Sequence, residues 1–508
     1  MKIGFDNEKY LSEQSAEIRR RAAKYGKLYL EFGGKLMNDF HAARCLPGYD
    51  PNVKLRLLQS LKDQAEIILA VYAGDIEHKK MRADFGISYA DDALKLIDDL
   101  KSLGLLVRGV VITRYAGQLA AQQFRTRLEH RGINVWYHYV TQGYPTDVET
   151  IVSENGYGKN EYVPTERPIV VVTAPGPGSG KLATCLSQLY HESRRGFQAA
   201  YSKFETFPVW NMPLEHPLNV AYEAATLDLN DKNLIDPYHL QAYGKTTVNY
   251  NRDVDAFPLL KAIWERMTKK ECPYKSPTDM GVNRIGFGIV DDAVVQEASR
   301  QEVIRRYLRC LCDFAEGSTT DRNCVEKAEA LMRKLDLKTE DRIPVEAARQ
   351  AAQSAKQAGK GKAGGNIVSG AAIQLKDGRV VTGRNSDDMH AASAMMLNAI
   401  KALAGIPEQI PLISPDIIKS ITHMKHDILK GGSYTSLNLD EAIIGLAISC
   451  TMNPAAQIAA EKLNELRGCE VHMTHIVTPG DEAGLRRLGC RYTSDPYYAT
   501  NALFTAGQ

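Results

Sequence analysis

Apolar residues recur along this chain in two ways. Short runs of buried type, Lys27–Phe32, Ile67–Tyr72, Arg108–Thr113, Asn134–Val140 and Ile169–Thr173, are rich in Val, Ile, Leu and Tyr and fit strands. Between them the apolar positions return at helical spacing, over Ser12–Tyr25, residues 51–66, Tyr89–Leu103 and Leu119–Arg131. Strand alternating with helix predicts an α/β protein built on a mostly parallel, doubly wound sheet. In such a sheet the loops beyond the carboxyl ends of the strands line one cleft. The loops after Phe32, Tyr72, Thr113, Val140 and Thr173 are therefore expected together on one edge.

The pattern then changes. Ala199–Trp210 mixes a strand with bulky aromatics. Residues 211–258 are polar and read as irregular, either a functional loop or an elaborated surface. They hold Asp228, Asp231, Asp236, Asp253 and Asp255 with His216, His239, Lys245 and Arg252. A helical region follows to about Ala358, clearest at Ala293–Glu316 and Cys324–Leu335. Ahead of it, Asn283–Gly288 reads as a segment folded over the cleft or as a simple turn. Ala347–Gly365, rich in Ala, Gln, Lys and Gly, reads as a helix fraying into a linker. Beyond it, Ser369–Leu375 and Val380–Gly383 flank the hairpin turn Lys376–Arg379. Helices are then expected over Ala391–Leu403, Pro415–Lys430, Asp440–Ser449 and Ala455–Arg467, and a strand over Glu470–His475. These changes divide the chain into an α/β domain over 1–258, a helical domain and linker over 259–360, and a second α/β domain over 361–508.

One stretch carries specific chemistry. Pro168–Glu192 reads PIVVVTAPGPGSGKLATCLSQLYHE, a strand, a glycine-rich loop over Ala174–Gly180, Lys181, and leucines at helical spacing. Glycines admit backbone amides close to an anion, a helix N-terminus adds positive charge, and a lysine reaches terminal phosphates. The Walker A pattern is met at Gly180 and Lys181 only in part. Pro175 holds the first glycine position, and Leu182 holds the Ser/Thr position that would meet Mg²⁺. Gly176, Gly178, Ser179, Gly180, Lys181 and Thr184 are the candidate phosphate contacts, with Ser179 or Thr184 as displaced hydroxyls. The alternative is a turn that merely joins a strand to a helix.

Composition narrows the class. The chain has 508 residues, 44% apolar and 24% charged, the balance of a multidomain globular protein. A net charge of +2 gives no electrostatic footprint for nucleic acid or an anionic membrane. No stretch has the apolar length of a membrane span, and MKIGFDNEKY lacks a secretory core, so the cytoplasm is the expected location. Nine scattered cysteines without a C-x-x-C fit reduced thiols.

SENGYGKNEYV, APGPGSGK with CLSQLYHE after it, YEAATLDLNDKNLIDPYHLQAYG, SLNLDEAIIGLAIS and LRGCEVHMTH resemble a bacterial family known as domain of unknown function 1846. The resemblance runs along the whole chain and carries no activity with it. A second resemblance concerns GAAIQLKDGRVVTGRNSDDMHAASAMMLNAI, which looks like the opening of a cytidine-deaminase-type domain. That family holds zinc on a His or Cys and a later P-C-x-x-C, with a Glu two residues after the first ligand. Here His390 stands near the first ligand position, Ala392 replaces the Glu, and SCTMNPAAQ around Cys450 has no paired cysteine. The resemblance thus implies the fold without deamination. His423 and His426 share a helix with Asp427, while His472 and His475 are expected on opposite faces of a strand. No metal site is assigned.

Two readings of function follow. In the first the protein is a nucleotide- or phosphate-dependent enzyme acting on a small metabolite, a phosphotransferase or hydrolase using ATP or GTP with Mg²⁺. Lys181, Asp228 and Asp231 are then the catalytic candidates, with Lys203, Lys245 or Arg252 balancing charge. In the second it is a non-catalytic sensor of a phosphorylated small molecule. Apolar helices over 391–403 and 440–467 exceed what one small sheet buries and point to a homo-oligomer.

Overall fold

The β-branched run Ile169–Thr173 is fully buried and forms the central strand of a seven-stranded sheet in the computed structural model, which describes residues 2–82, 87–318, 320–430 and 436–500. The strands are β1 (Leu28–Phe32), β2 (Ala65–Tyr72), β3 (Val107–Tyr115), β4 (Asn134–Tyr139), β5 (Ile169–Thr173), β6 (Ala200–Phe204) and a short β7 (Gly281–Val282). Their order across the sheet is β7-β6-β1-β5-β2-β3-β4, and every pairing is parallel. All carboxyl ends therefore share one edge, as the alternation of strand and helix requires. β1 and β5 are neighbours whose onward connections diverge. The chain from β1 crosses past β5 to β2, and the chain from β5 crosses past β1 to β6. Such a reversal opens a crevice above the two strands, where ligands of doubly wound sheets sit.

Residues 211–258 are not irregular. They fold into α-helices Pro217–Ala225 and Pro237–Tyr243, short paired strands Asn233–Ile235 and Val248–Tyr250, and the start of a helix over Asn251–Thr268. Polar caps build these elements. Asp236 is fully buried, accepts the Tyr238 and His239 amides, and takes the Thr278 hydroxyl at 2.6 Å. Its neighbour Pro237 opens a helix without needing an amide partner. In this helix, which buries no apolar side chain, local side-chain bonds do the ordering that an apolar stripe does in Pro217–Ala225. The expected helix over 51–66 is shorter, Val53–Ser60, because β2 already begins at Ala65. Within Asn283–Gly288 the residues Ile285–Gly288 form a 3₁₀ helix, and Arg284 pairs with Glu17 of the helix Asn7–Tyr25 at 3.2 Å.

The chain separates into two compact units, Lys2–Ser299 and the residues from Arg300 onward. The second unit has a four-stranded sheet of β8 (Gly370–Gln374), β9 (Val380–Arg384), β10 (Glu470–Met473) and β11 (Arg491–Ser494), in the order β9-β8-β10-β11. β8 is antiparallel to both neighbours, and β10 runs parallel to β11. The stretch read as a linker begins inside the helix Ile343–Gln357, which packs on β8: a side chain at Gly370 would collide with the Ala348 carbonyl. Ala371, Ile373, Met395, Met396, Ile400, Leu446 and Val471 form the core of this unit. Among the described residues no helix is long and apolar enough to cross a membrane, and no disulfide joins any of the cysteines.

Candidate functional site

β5 ends at Thr173, and the chain turns through Ala174–Gly180 into α1 (Lys181–Arg194). Gly178 and Gly180 take φ of +70° and +84°. A side chain at Gly180 would also stand 2.9 Å from Thr113 Oγ1, so the entry to the helix admits only glycine. Four side-chain bonds to its carbonyls hold the loop. The Ser179 hydroxyl donates to the Gly176 carbonyl at 2.6 Å, and the Thr113 hydroxyl donates to the Ser179 carbonyl at 2.7 Å. Arg114, stacked 3.4 Å over the Tyr72 ring, donates to the Gly178 carbonyl at 2.5 Å. Thr184 donates to the Gly180 carbonyl at 3.0 Å. Carbonyls are thereby engaged by the protein, while the first turn of α1 has no side-chain cap. Its amides lack intrahelical acceptors and carry the positive end of the helix dipole.

Lys181 is half-buried at this turn, and among the described residues its ammonium has neither hydrogen bond nor ion pair. Burial, aided by Lys203, lowers its pKa below the usual lysine range, while Glu31 and Glu205 act in the opposite direction. These groups come from adjacent strands. Glu31 of β1 and Lys203 of β6 are in register. Tyr201 donates to Glu31 Oε2 at 2.7 Å. The Lys203 ammonium donates to Asp253 Oδ1 and Oδ2 at 2.7 and 2.9 Å, stands 2.9 Å from Glu205 Oε1, and touches the Tyr250 hydroxyl. Tyr250 donates to Glu205 Oε1 at 3.1 Å. Burial alone would lower the Lys203 pKa, but Asp253 and Glu205 hold it well above the lysine range. Burial pushes Glu205 above the usual carboxylate range, with Lys203 opposing. A side chain at Gly33 would overlap the Glu205 carboxylate, so the glycine after β1 is what lets that carboxylate lie against the backbone. At the start of the loop, Lys35, Asn38, Asp92, Lys95, Ala174 and Pro175 line a cleft.

Gly176, Gly178, Ser179, Gly180, Lys181 and Thr184 thus fall on one turn, but the two hydroxyls are buried and spent on loop carbonyls. Asp231 is buried in an ion pair with Arg252, Nε to Oδ1 at 2.5 Å, which occupies both residues. Asp228 lies exposed on the turn Leu227–Leu229, and Lys245 is exposed. Of the charge-balancing candidates, Lys203 acts electrostatically on Lys181. Sequence reasoning missed Glu31, Glu205 and Tyr250. The available signal was a carboxylate at an inward position of an otherwise apolar strand, since an unpaired charge is not tolerated there.

In the second unit His390 precedes α2 (Ala391–Ala404), with Nδ1 2.7 Å from Asp481 Oδ2. His423 and His426 each turn Nδ1 to one oxygen of Asp427, at 2.5 and 2.7 Å, on the exposed face of the helix Pro415–His423 and its π-helical continuation Met424–Ile428. β10 ends at Met473, so strand alternation does not govern His475, and both His472 and His475 are buried. Among the described residues no three His, Cys, Asp or Glu side chains are grouped to hold a metal ion.

The N-terminal model for domain of unknown function DUF1846 matches residues 3–336, and its C-terminal counterpart matches residues 340–504. The chain belongs to the DUF1846 family. It is similar to a UPF0371 protein of Clostridium botulinum (strain Eklund 17B / Type B), 55% identical over 504 residues and 99% of each chain. It is also similar to a UPF0371 protein of Clostridium tetani (strain Massachusetts / E88), 54% identical over 505 residues and again 99% of each chain. The family extends over both units and bears no activity in its description.

Proposed function

We propose that the unit Lys2–Ser299 binds a phosphate-bearing small molecule above β1 and β5 and acts on it as a phosphoryl-transfer or activating enzyme in the cytoplasm. The observation that carries the reading is the Lys181 ammonium, unpaired among the described residues, beside the uncapped first turn of α1 at the switch point of the sheet. A cation and free amides directed at one place are what a phosphate needs. Lys181 and the amides of the turn would hold the phosphates, of ATP or GTP among others. Glu31 and Glu205 are the carboxylates acting on Lys181, and they, not Ser179 or Thr184, would meet a magnesium ion. Bound there, the ion would supply charge neutralisation for the phosphates. Lys203 fixes the position of the Glu205 carboxylate.

The sensor reading is favoured by one observation, the commitment of both hydroxyls to the loop and Leu182 in the position of the Mg²⁺ ligand. The deaminase-like reading of the C-terminal part draws support from the order β9-β8-β10-β11 with β8 antiparallel to its neighbours, and from His390 at the start of α2. A homo-oligomer is supported by Ile444, Ile448, Met452 and Ile458, all exposed on the second unit. The test is a thermal-shift screen against nucleotides, sugar phosphates and divalent metals, repeated with Lys181→Ala. A midpoint rise through mass action that disappears in the variant supports the site. A folded variant that binds as well as the parent overturns it. Turnover of the nucleotide separates the enzyme from the sensor.

A further inference from the structure

Three adjacent strands of the first sheet end in tyrosines that the proposed function leaves unused: Tyr72 closes β2, Tyr115 closes β3 and Tyr139 closes β4. Two of the rings are taken up by neighbours. Tyr115 stacks on Tyr137 with centroids 3.9 Å apart, and the Lys159 ammonium stands 4.8 Å from the centre of the Tyr139 ring. Tyr72 borders the glycine-rich loop. A side chain at Gly74 would overlap its ring, so the ring lies directly against backbone. The Arg114 guanidinium covers it, with Cζ 3.4 Å from the ring centre, the separation of a face-on stack.

The position of this stack is fixed from several sides. Arg114 has φ +49°, a strained conformation for a residue with a side chain, which persists only where the surroundings impose it. Its guanidinium donates to the Gly178 carbonyl at 2.5 Å, while Thr113 before it donates to the Ser179 carbonyl at 2.7 Å. The end of β3 is thereby tied to the loop. Gly178 lies three residues before Lys181, at most about 11 Å along the chain. Arg114 is exposed, and among the described residues it forms no ion pair. One face of its plane rests on Tyr72, and the opposite face is its solvent side. A second ring reaches the same loop, since a side chain at Gly176 would overlap Tyr89. Guanidinium planes and aromatic rings take nucleobases face to face, because every base has a π-face. A bare phosphate or a sugar phosphate has no such plane to offer.

We propose, resting on the phosphate-binding reading of the loop, that the ligand of the Lys181 site is a nucleotide whose base stacks on the outer face of Arg114, with Tyr72 as the support beneath. The full chain is titrated by calorimetry with ATP, GTP and inorganic tripolyphosphate, each with Mg²⁺. The titrations are repeated with Arg114→Lys, which keeps the charge and loses the plane, and with Tyr72→Leu, which removes the support. The expected result is that at least one nucleotide binds more tightly than tripolyphosphate. Each variant should weaken that nucleotide by about tenfold or more and tripolyphosphate by clearly less. Nucleotides bound no more tightly than tripolyphosphate, or equal losses for both ligands, overturn the stacking and leave the phosphate site standing, with Arg114 a clamp on the loop. A parent chain that binds none of the three overturns both readings. If the variants fail to fold, the parent decides. A 2-aminopurine nucleoside triphosphate should lose fluorescence on binding, because stacking quenches that base, and undiminished fluorescence of the bound nucleotide overturns the proposal.

Discussion

The ammonium of Lys203 on β6 lies between both carboxylate oxygens of Asp253, at 2.7 and 2.9 Å, and it is the cation that makes a buried cluster of acids tenable. Replacing Lys203 by Met would leave Asp253 and Glu205 without their counter-charge. The expected cost is about 3–5 kcal/mol of unfolding free energy at neutral pH, as for other buried pairs broken on one side. Lowering the pH, which protonates the stranded carboxylates, should recover part of it. Urea denaturation at pH 7 and pH 5 checks this; equal losses at both would show that the carboxylates stay neutral throughout.

Gly180 is held at φ +84° with Thr113 against it. Gly180→Ala should cost about 1–3 kcal/mol in strain. Its larger effect should be on ligand binding, because the amides that follow are re-aimed. Comparing the midpoint without ligand and the shift with ligand separates the two. A variant with full ligand response and an unchanged midpoint would remove the loop from the site.

Burial pushes the pKa of His475 down to about 4. A histidine that stays neutral in the fold but titrates at its ordinary value when unfolded stabilises the protein above about pH 6.5, and that contribution is lost as pH falls toward the folded value. His138 of the first unit, also lowered to about 4 by burial, does the same. Each accounts for about 3 kcal/mol at most of stability lost between pH 6.5 and 4. His475→Asn and His138→Asn remove the titrating group, so each variant should lose less stability than the parent between pH 6.5 and 4. Parallel pH–stability curves for parent and variants would contradict the assignment.

Arg342 is 1% exposed, pairs with Glu470 Oε2 at 2.8 Å, and donates to Thr493 Oγ1 and the Arg491 carbonyl at 3.0 and 2.8 Å. Its planar fork matches three acceptors on β10 and β11 that a single ammonium cannot reach together. Arg342→Lys should restore only part of the stability lost in Arg342→Ala, which is expected to fall by about 3–5 kcal/mol. Full rescue by lysine, measured by thermal unfolding, would reduce the role of this residue to its charge.

Much of this architecture is written in local patterns. The run Ile169–Thr173 followed by glycines and Lys181 sets a strand, a tight turn and a helix start, because β-branched residues, φ-permissive glycines and helical leucine spacing each act over a few residues. Residues 211–258 were illegible in the same terms. The helix Pro237–Tyr243 rests on its cap Asp236, whose partner Thr278 is distant in sequence, and not on an apolar period. The catalytic reading of Asp231 had no local contradiction, since the residue type fits. Only its burial against Arg252 shows it already paired.

By itself the sequence determined the class of fold, the glycine-rich turn and the lysine that follows it, and membership of a family along its whole length. Those follow from residue types at short spacing. Only the tertiary structure decided which charges meet. Glu31 on β1, Lys203 and Glu205 at the end of β6, and Asp253 on the helix Asn251–Thr268 converge because the sheet order sets the ends of β6 and β1 side by side. Strand order is fixed by how helices cover a sheet of similar apolar strands. That is a property of the whole assembly, which no single stretch of chain encodes.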